Sequence, residues 1–413
     1  MKITLFTLGT RGDVQPFAIL GEALAKHGHI VTLCTAKNFQ TLVEGHNINF
    51  HPVNIDSEDM INSKHGQQIM KVNLFHLKRN LNQFVYPVIK ASLNEFYKLA
   101  QESDLIIYRT KTLADVFLNQ LDCRAIRAAV VPAMQETTAF LNPIMSGLKV
   151  PAFLNRLSYK FNNLRYMFFK TPIDQFRIQH GLSDDVNETQ DIPGIYGISP
   201  HFLNRPDDWA SHQHLTGFWF SSKKAILDPE IEKFINAGKP PLLITFSSMP
   251  VEKELSSLIL NCINQIEERF IIIKGWGEWN IADSEKIKVI SSAPFDALFP
   301  KMKAIIHHGG IGTTAECLRA GKPMFICPPV YPFGDQFFWG DLAYKQGVGI
   351  KPVPLSKLTE KKFIKGIRQL INDEKIYFTS ERLAVKINAE KGVENAVQMI
   401  EEILKTHIFQ RSA

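Results

Sequence analysis

One ten-residue stretch combines the side chains and the backbone freedom of an anion-binding loop: His307-His308-Gly309-Gly310-Ile311-Gly312-Thr313-Thr314-Ala315-Glu316. The histidines end an apolar run typical of a buried strand, and a helix is predicted to begin near Gly312. Glycines let backbone N–H groups approach a ligand, and a helix N-terminus favours negative charge. A tight turn with packed histidines is the competing interpretation. Because two histidines, three glycines and two threonines converge there, the stretch predicts a phosphate site.

A second polar loop, residues 9–13 (Gly-Thr-Arg-Gly-Asp), follows the first predicted strand. It lacks the GxGxxG pattern of nicotinamide-dinucleotide domains, and the chain has no GxxxxGK[ST] phosphate loop. The loop does carry an acid, Asp13, which could accept a proton from a hydroxyl nucleophile. Its competing role is to cap a helix that begins near Val14, since Asp is a favoured N-cap. An acid opposite a phosphate loop suits a nucleotide-sugar enzyme with its site between two domains.

Two series of apolar runs, interleaved with helical periodicity, are predicted to position these loops. The predicted strands cover 2–8, 30–34, 104–109 and 123–131, and then 242–248, 270–275, 288–292, 303–308 and 323–328. Strand–loop–helix–strand repeats of this kind are typical of doubly wound parallel sheets. We therefore predict an α/β fold with two Rossmann-like domains that face each other across a cleft. The predicted divisions are an N-terminal acceptor-binding domain at 1–215, a linker at 216–239, a nucleotide-sugar-binding domain at 240–390, and a C-terminal helix at 391–413 that packs back on the first domain.

The overall composition excludes several classes of protein. The 413 residues, 45% hydrophobic and 21% charged, have ordinary globular values, unlike disordered, collagen-like or disulfide-stapled chains. A net charge of +6 is too small to require a nucleic-acid partner, and we predict none. Five scattered cysteines without zinc spacing predict a reduced, cytoplasmic chain with no metal site. The N-terminal apolar run is too short for a signal peptide, and no run is long enough to span a membrane.

Residues 141–180, here called the basic segment, concentrate the positive charge of the chain in six Lys or Arg residues against one acid. Within it Leu157, Phe161, Leu164 and Phe168 fall on one helical stripe. One interpretation is a helix that buries this stripe and leaves its Lys and Arg side chains in solvent. The other is a surface that meets anionic lipid or a lipid-like acceptor, which predicts peripheral contact with an anionic membrane. The sequence leaves both open.

With these motifs in place, the chain resembles the family 1 glycosyltransferases of the GT-B fold, in the branch that includes sterol and antibiotic glycosyltransferases. The resemblance covers most of the chain. It rests on residues 9–16 (Gly-Thr-Arg-Gly-Asp-Val-Gln-Pro), 155–159 (Asn-Arg-Leu-Ser-Tyr), 293–300 (Ala-Pro-Phe-Asp-Ala-Leu-Phe-Pro), 307–316, and 334–336 (Gly-Asp-Gln) followed by Phe338-Trp339. It implies inverting transfer of a hexose, with glucose expected, from a UDP-sugar to a hydroxyl of a sterol, terpenoid or polyphenol. The UDP-sugar is then a co-substrate, and no cofactor is expected.

The resemblance also implies roles for individual residues. Asp13 matches the general base, which a weakly nucleophilic hydroxyl requires. His308 and the backbone of Gly310, Gly312 and Thr313 would hold the diphosphate and stabilise its charge as it departs. The remaining donor contacts that it implies are Ser248 for a phosphate, Ala293 and Phe295 for the uracil, Glu316 for the ribose, and Asp335 and Gln336 for the sugar hydroxyls.

Two other functions fit the same motifs. One is a UDP-sugar epimerase of the same fold, which would differ from a transferase because it releases no UDP when an acceptor is added. The other is a non-catalytic binder of a nucleotide sugar or of lipid, against which the intact Asp13 and the intact phosphate loop argue. The 29 Phe residues, several of them in the basic segment or beside Asp335, favour a hydrophobic acceptor over a free sugar.

Overall fold

The structure is a computed structural model that describes residues 1–55, 81–183, 192–246, 253–275 and 279–411. Its first sheet is formed by β1 Lys2–Phe6, β2 Ile30–Ala36, β3 Asn49–Val53, β4 Leu105–Tyr108, β5 Arg124–Ala129, β6 Gly194–Tyr196 and β7 Gln213–Leu215. Neighbouring strands are all parallel, in the order β3-β2-β1-β4-β5-β6-β7. Because β4 pairs with β1, the loops that follow these two strands emerge side by side at the carboxyl edge of the sheet.

A second parallel sheet is formed by β8 Leu242–Thr245, β9 Phe270–Ile273, β10 Ile287–Ile290, β11 Ile305–His307 and β12 Met324–Ile326. Its strand order is β10-β9-β8-β11-β12. Side chains alternate between two cores, since Leu242 and Ile244 pack on one face and Leu243 on the other. A sheet covered on both faces explains the nearly continuous apolar runs in the sequence. The predicted α/β fold, with two Rossmann-like domains, is confirmed.

Helices cover both faces of each sheet. Those before β6 are α1 Arg11–Lys26, α2 Gln40–Glu44, α3 Tyr86–Gln101, α4 Asn155–Ser158, α5 Leu164–Phe168 and α6 Lys170–His180. Those after β7 are α7 Pro229–Asn236, α8 Lys253–Asn264, α9 Phe295–Leu298, α10 Ile311–Arg319, α11 Gln336–Lys345, α12 Glu360–Asn372, α13 Glu374–Ala389 and α14 Gly392–Arg411. The last helix packs its apolar face against α1, so that Ile400 and Val397 share a core with Phe17 and Leu20.

The start of α1 differs from the sequence prediction. The helix begins at Arg11 with Thr10 as its N-cap, so the competing interpretation of Asp13 as an N-cap is wrong. Asp13 is instead the third helical residue, and its Oδ2 accepts hydrogen bonds from the Thr10 N–H at 2.8 Å and the Thr10 hydroxyl at 3.2 Å. This is the reciprocal capping arrangement, in which the third helical residue reaches back to the cap. Gly9, with a φ of +138°, supplies the turn that the Asp13 carboxylate packs against.

The two domains touch through a pair of loops at one side of the cleft. Backbone hydrogen bonds run from the Gly334 N–H to the Ile144 carbonyl at 2.7 Å and from the Gly147 N–H to the Pro332 carbonyl at 3.2 Å. The Phe140 ring of the first domain packs against a ring of α11, with centroids 5.2 Å apart. The loop between β12 and α11, which carries two predicted sugar contacts, is therefore held in place partly by the first domain.

Candidate active site

The cleft between the domains has a volume of about 2260 Å³. Ser248 lies outside the described residues. The other candidates predicted from the sequence all line this cleft: Asp13 from the first domain, and Ala293, Phe295, His308, Gly310, Gly312, Thr313, Glu316, Asp335 and Gln336 from the second. Residues far apart in the sequence thus meet because every one of them follows the carboxyl end of a parallel strand.

The turn from β11 into α10 exposes backbone N–H groups to the cleft. Gly309 has a φ of +92°, and a Cβ there would lie 2.6 Å from Ile326 Cγ2, so that only glycine fits. Gly310 caps α10, which begins one residue later. At Gly312 a Cβ would meet open space, which leaves the backbone of the first helical turn accessible. The N–H groups of this turn have no partner within the helix and carry its positive dipole end, as an anion site requires.

The two adjacent histidines have different roles. His307 is fully buried, and its Nδ1 accepts a hydrogen bond from the Gly309 N–H at 3.1 Å, so it supports the turn. His308 lines the cleft, and within the described residues its buried Nδ1 has no hydrogen-bond partner. Burial lowers the pKa of His308 to about 4, although the charge of Asp335 acts in the opposite direction. At neutral pH His308 is therefore an uncharged imidazole that can donate one hydrogen bond to a phosphate oxygen.

Only one of the two threonines in the loop remains available to a ligand. The Thr314 hydroxyl is fully buried and donates to the Gly310 carbonyl at 3.0 Å, which fixes the helix start. Thr313 lines the cleft beside the free N–H groups. Of the two hydroxyls, that of Thr313 is therefore the one that can donate to a ligand.

The base and ribose candidates lie on α9 and α10. The Phe295 ring stacks on Phe299 with centroids 4.5 Å apart, so one of its faces is already covered. Burial raises the pKa of Glu316 to about 7, and Arg319 partly offsets this through a 2.6 Å ion pair. Glu316 consequently changes its charge near neutral pH, whereas an ordinary Glu would be ionised throughout that range.

Asp335 and Gln336 are held in position by neighbours in the second domain. The indole N–H of the fully buried Trp339 donates to Asp335 Oδ2 at 2.9 Å. The Gln336 side-chain oxygen accepts from the Val330 N–H at 3.3 Å. Asp335 thereby keeps its second carboxylate oxygen for a ligand. Because the side-chain oxygen of Gln336 is already engaged, its NH₂ group is the part that can still donate to a ligand.

Sequence reasoning missed the cations that surround Asp13. Arg109, which follows β4, forms an ion pair with Asp13 Oδ1, and the Lys111 Nζ lies 3.9 Å from the same oxygen. The Arg109 side chain is buried, which lowers its pKa to about 10. Lys111 is more exposed but stands inside a deep cleft, and its pKa is lowered to about 8, first by the Arg109 charge and then by burial. The signal that could have found Arg109 is its place at the end of the strand beside β1.

The charges of the two domains act on each other across the cleft. Asp335, from the second domain, partly offsets the lowering of the pKa of Arg109 and Lys111 in the first domain and of His308. A carboxylate on the first domain, a hydrogen-bonded carboxylate on the second and a helix N-terminus thus surround one space. This arrangement can bind a diphosphate at the helix, hold a polyhydroxylated group near Asp335, and accept a proton at Asp13.

Comparisons with known proteins agree with this geometry. Residues 3–103 match the model of the glycosyltransferase family 28 N-terminal domain, and residues 272–403 match that of the erythromycin biosynthesis protein CIII-like C-terminal domain. A sterol 3-beta-glucosyltransferase of Arabidopsis thaliana is 29% identical over 96% of this chain, and an O-mycaminosyltylonolide 6-deoxyallosyltransferase of Streptomyces fradiae is 26% identical over 98%. The crystal structure of the glycosyltransferase SnogD from Streptomyces nogalater matches with a TM-score of 0.64 at 17% identity, over 98% of this chain and 99% of that one.

By fold the chain is a GT-B protein, and the curated relatives that it resembles are named glycosyltransferases. It spans 65% of the length of the Arabidopsis relative and 98% of that of the Streptomyces relative. A sterol 3-beta-glucosyltransferase of Yarrowia lipolytica is 30% identical over 97% of this GT-B chain, which covers 28% of that relative. The spinosyn rhamnosyltransferase SpnG, solved with thymidine diphosphate, shares the fold with a TM-score of 0.62 and 14% identity, over 97% of this chain and 100% of that one.

Two further observations concern the described residues of this GT-B chain. In the described ranges, no three His, Cys, Asp or Glu side chains are grouped so that they could hold a metal ion. In the same part of the chain, no helix has the length and apolar character to cross a membrane.

Proposed function

We propose that this chain transfers a hexose, glucose in the first instance, from a UDP-sugar to a hydroxyl of a hydrophobic acceptor, with inversion at the anomeric carbon. The observation that carries the proposal is that Asp13 and the His308 turn, each from a different domain, line one cleft. The names of the relatives support sterols as the first acceptor class to test, with antibiotic-like scaffolds as the second. In this proposal the UDP-sugar is a co-substrate, and no separate cofactor takes part.

The proposed reaction is a single displacement. Asp13 accepts the proton of the acceptor hydroxyl while that oxygen attacks the anomeric carbon, and the bond from this carbon to the diphosphate oxygen breaks. The electron pair of that bond leaves with UDP. Backbone N–H groups at the start of α10, its helix dipole and the neutral His308 N–H stabilise the negative charge that develops on the diphosphate.

The Arg109 ion pair is compatible with a base at Asp13. One carboxylate oxygen is oriented by Arg109 and the other by Thr10, and each carboxylate oxygen has two lone-pair directions. The carboxylate is therefore fixed in direction and still able to accept a further hydrogen bond. The acceptor hydroxyl, which approaches from the cleft, can donate its hydrogen bond to the lone pair that remains.

Substitution of Asp13 tests its role as the base, and substitution of His308 tests its role in binding the diphosphate. Asp13→Asn is expected to bind UDP like the parent protein in calorimetry and to lose transfer by roughly 10²–10⁴-fold. His308→Ala is expected to weaken UDP binding about tenfold, because one hydrogen bond to a charged group is lost. Full turnover in Asp13→Asn would remove this residue as the base, and unchanged UDP affinity in His308→Ala would remove the phosphate assignment.

The same assay tests the alternative functions and the donor. Each of UDP-glucose and dTDP-glucose is incubated with and without cholesterol in cyclodextrin; glycosylated products are identified by mass, and epimeric sugar nucleotides, which have equal mass, by chromatographic retention. Nucleoside diphosphate that appears only when the acceptor is present supports transfer. A changed sugar without an acceptor supports epimerisation, and tight donor binding with no product supports a binder. We also propose a reducing, cytoplasmic setting for this activity, on the basis of the five scattered cysteines in the sequence.

A further inference from the structure

The basic segment does not bury the apolar stripe that its sequence contains. It is divided into α4, α5 and α6, and Leu157, Phe161 and Phe168 are 53%, 39% and 41% exposed. The interpretation of a helix that buries this stripe is therefore wrong. The inward side is instead polar, because Asn155 and Ser158 are buried and the Asn155 side chain donates to a backbone carbonyl at 2.9 Å. Around Leu157, polar groups therefore face the protein and the apolar stripe faces outward, whereas Tyr159, Ile173 and Phe176 of the same segment are buried.

Two more side chains extend this outward surface. Phe153 is 82% exposed and Met167 is 63% exposed. We call the resulting surface the apolar patch; its members are Phe153, Leu157, Phe161, Met167 and Phe168. Single exposed apolar residues are ordinary, but five large ones within sixteen residues mark a surface that is covered by a partner.

Positive charge surrounds the apolar patch. Lys149, Arg156, Lys160 and Lys170 are all exposed. Arg156 pairs with Glu136, and Lys170 pairs with an acid one helical turn away, but exposed pairs of this kind are weak and release their cations to a stronger anionic partner. Apolar side chains that project among Lys and Arg residues are typical of proteins that lie on anionic bilayers.

We propose that the apolar patch docks this chain on an anionic membrane, with its Phe, Leu and Met side chains among the lipids and the surrounding Lys and Arg residues on the headgroups. Charge complementarity selects this occupant over a second copy of the chain. A two-fold dimer through the patch would place the basic segment of one copy against that of the other, and like charges would repel. An anionic bilayer offers the opposite charge together with an apolar interior.

The position of the patch gives the docking a function, which rests on the proposed transfer reaction. Phe161, Met167 and Phe168 belong both to the apolar patch and to the wall of the cleft. From the second domain, Phe333 stacks on Phe161 with centroids 6.4 Å apart. The mouth of the cleft therefore opens at the docking surface. An acceptor that resides in the bilayer, with one hydroxyl at the headgroup level, enters the cleft along apolar side chains without crossing water.

Co-sedimentation of the full chain with vesicles tests the docking directly. The probes are phosphatidylcholine vesicles with and without about 30% phosphatidylserine, at about 50 and 500 mM NaCl. We expect binding to the anionic vesicles at low salt and its loss at high salt. Phe153→Ser combined with Leu157→Ser should reduce the affinity by roughly tenfold per side chain. Lys149→Gln combined with Lys160→Gln should reduce it about fivefold per charge.

A matched control is Phe378→Ser combined with Val385→Ser, which removes two exposed apolar side chains from α13. This control should bind vesicles like the parent protein. Equal loss in the control and in the patch variant would overturn the proposal. So would absence of binding to anionic vesicles at low salt, or a dimer in analytical ultracentrifugation that the patch variant abolishes.

Cholesterol supplied in cyclodextrin or in anionic vesicles tests the membrane docking separately from the transfer reaction. Phe153 and Leu157 lie outside the cleft wall, so their double variant should glycosylate cholesterol in cyclodextrin at the parental rate. The same variant should lose at least tenfold in rate when cholesterol is supplied in anionic vesicles. Equal loss in both formats would show that the patch does not act through the membrane. If the parent binds vesicles but turns over neither acceptor, the transfer reaction fails and the docking stands.

Discussion

Arg109 contributes to the site through both its charge and its shape, and these contributions can be separated. Arg109→Gln removes a cation from Asp13, which disfavours the ionised carboxylate that a base must be. We expect transfer at pH 7 to fall by about 10–100-fold and the acidic limb of the rate profile to move to higher pH. Lys111 Nζ also lies 3.9 Å from this carboxylate, and Asp335 acts on both cations, so the shift is the net effect of several charges. Rate profiles from pH 5 to pH 9 with saturating UDP-glucose measure it.

Arg109→Lys is the control for that experiment. It keeps the charge but loses the planar guanidinium, so the acidic limb should stay close to its parental position while the rate falls. UDP affinity should not change in either variant, since the diphosphate site lies in the other domain. If the acidic limb of the rate profile does not move in Arg109→Gln, the ion pair has no influence on the ionisation of Asp13.

If Glu316 binds the ribose as proposed, donor binding should depend on pH. Its pKa is raised to about 7, so the carboxyl group is mostly protonated at pH 6 and mostly ionised at pH 8. A carboxylate accepts hydrogen bonds from both ribose hydroxyls, whereas the protonated form must donate one itself. Affinity for UDP-glucose should therefore rise up to about tenfold from pH 6 to pH 8. Calorimetry with UDP-glucose is suitable because its diphosphate is a diester that does not titrate in this range.

Glu316→Gln provides the comparison, because its amide has no charge to lose. Its affinity should be weaker than that of the parent at pH 8 and nearly constant with pH. His308, with a pKa lowered to about 4, stays neutral throughout and adds no slope. A parental slope that persists in Glu316→Gln would assign the pH dependence to another group, with Lys111 as the first to examine.

At the scale of elements, the helix that ends the chain stabilises the first domain. Ile400 is fully buried in the core that α14 shares with α1. Ile400→Ala should lower the free energy of unfolding by about 2–5 kcal/mol through lost burial and the cavity left behind. Val385→Ala, at a side chain 72% exposed on α13, should change it by less than about 0.5 kcal/mol. Urea unfolding monitored by circular dichroism measures both, and equal effects would contradict the docking of α14.

The elements also show which parts of the fold the sequence could predict. Strands buried on both faces, such as β1 and β8, produce long apolar runs that are recognised without the structure. β3 was missed because it lies at the edge of its sheet and contains Pro52, which an edge strand tolerates. β6 and β7 have three residues each and leave too short a pattern.

The same contrast holds for the site. The His308 turn was predictable because its glycines, histidines and threonines are contiguous in the sequence and act through local backbone geometry. Arg109 was not, because its contact with Asp13 exists only after β4 pairs with β1 across almost a hundred residues of chain. The exposed stripe at Leu157 was open to either interpretation, since periodicity shows which residues share a face but not which face turns inward.

At the scale of the whole molecule, the contact between the domains positions Asp335. The loop that carries it bonds to Ile144 and Gly147 of the first domain, so the carboxylate proposed to bind the sugar depends on both domains being correctly placed. Gly147 is the tightest point of this contact, because a Cβ there would lie 2.5 Å from the Pro332 carbonyl oxygen and 2.7 Å from Pro332 Cα. Backbone atoms cannot yield as a flexible side chain does, so Gly147→Ala must displace the loop or separate the domains.

Gly147→Ala should therefore reduce transfer while leaving UDP binding unchanged. A displacement of the order of 1 Å between reacting groups can lower the rate by about 10²-fold, and the diphosphate site on α10 is remote from this contact. Gly45→Ala is the matched control, since its Cβ would lie 3.4 Å from the Leu42 and Thr41 carbonyl oxygens, which is an ordinary contact, and Gly45 already has a φ of −60°. Steady-state rates and UDP calorimetry on both variants decide the matter. Parental turnover in Gly147→Ala would mean that the two domains find their catalytic arrangement without this contact, and that Asp335 is positioned by Trp339 alone.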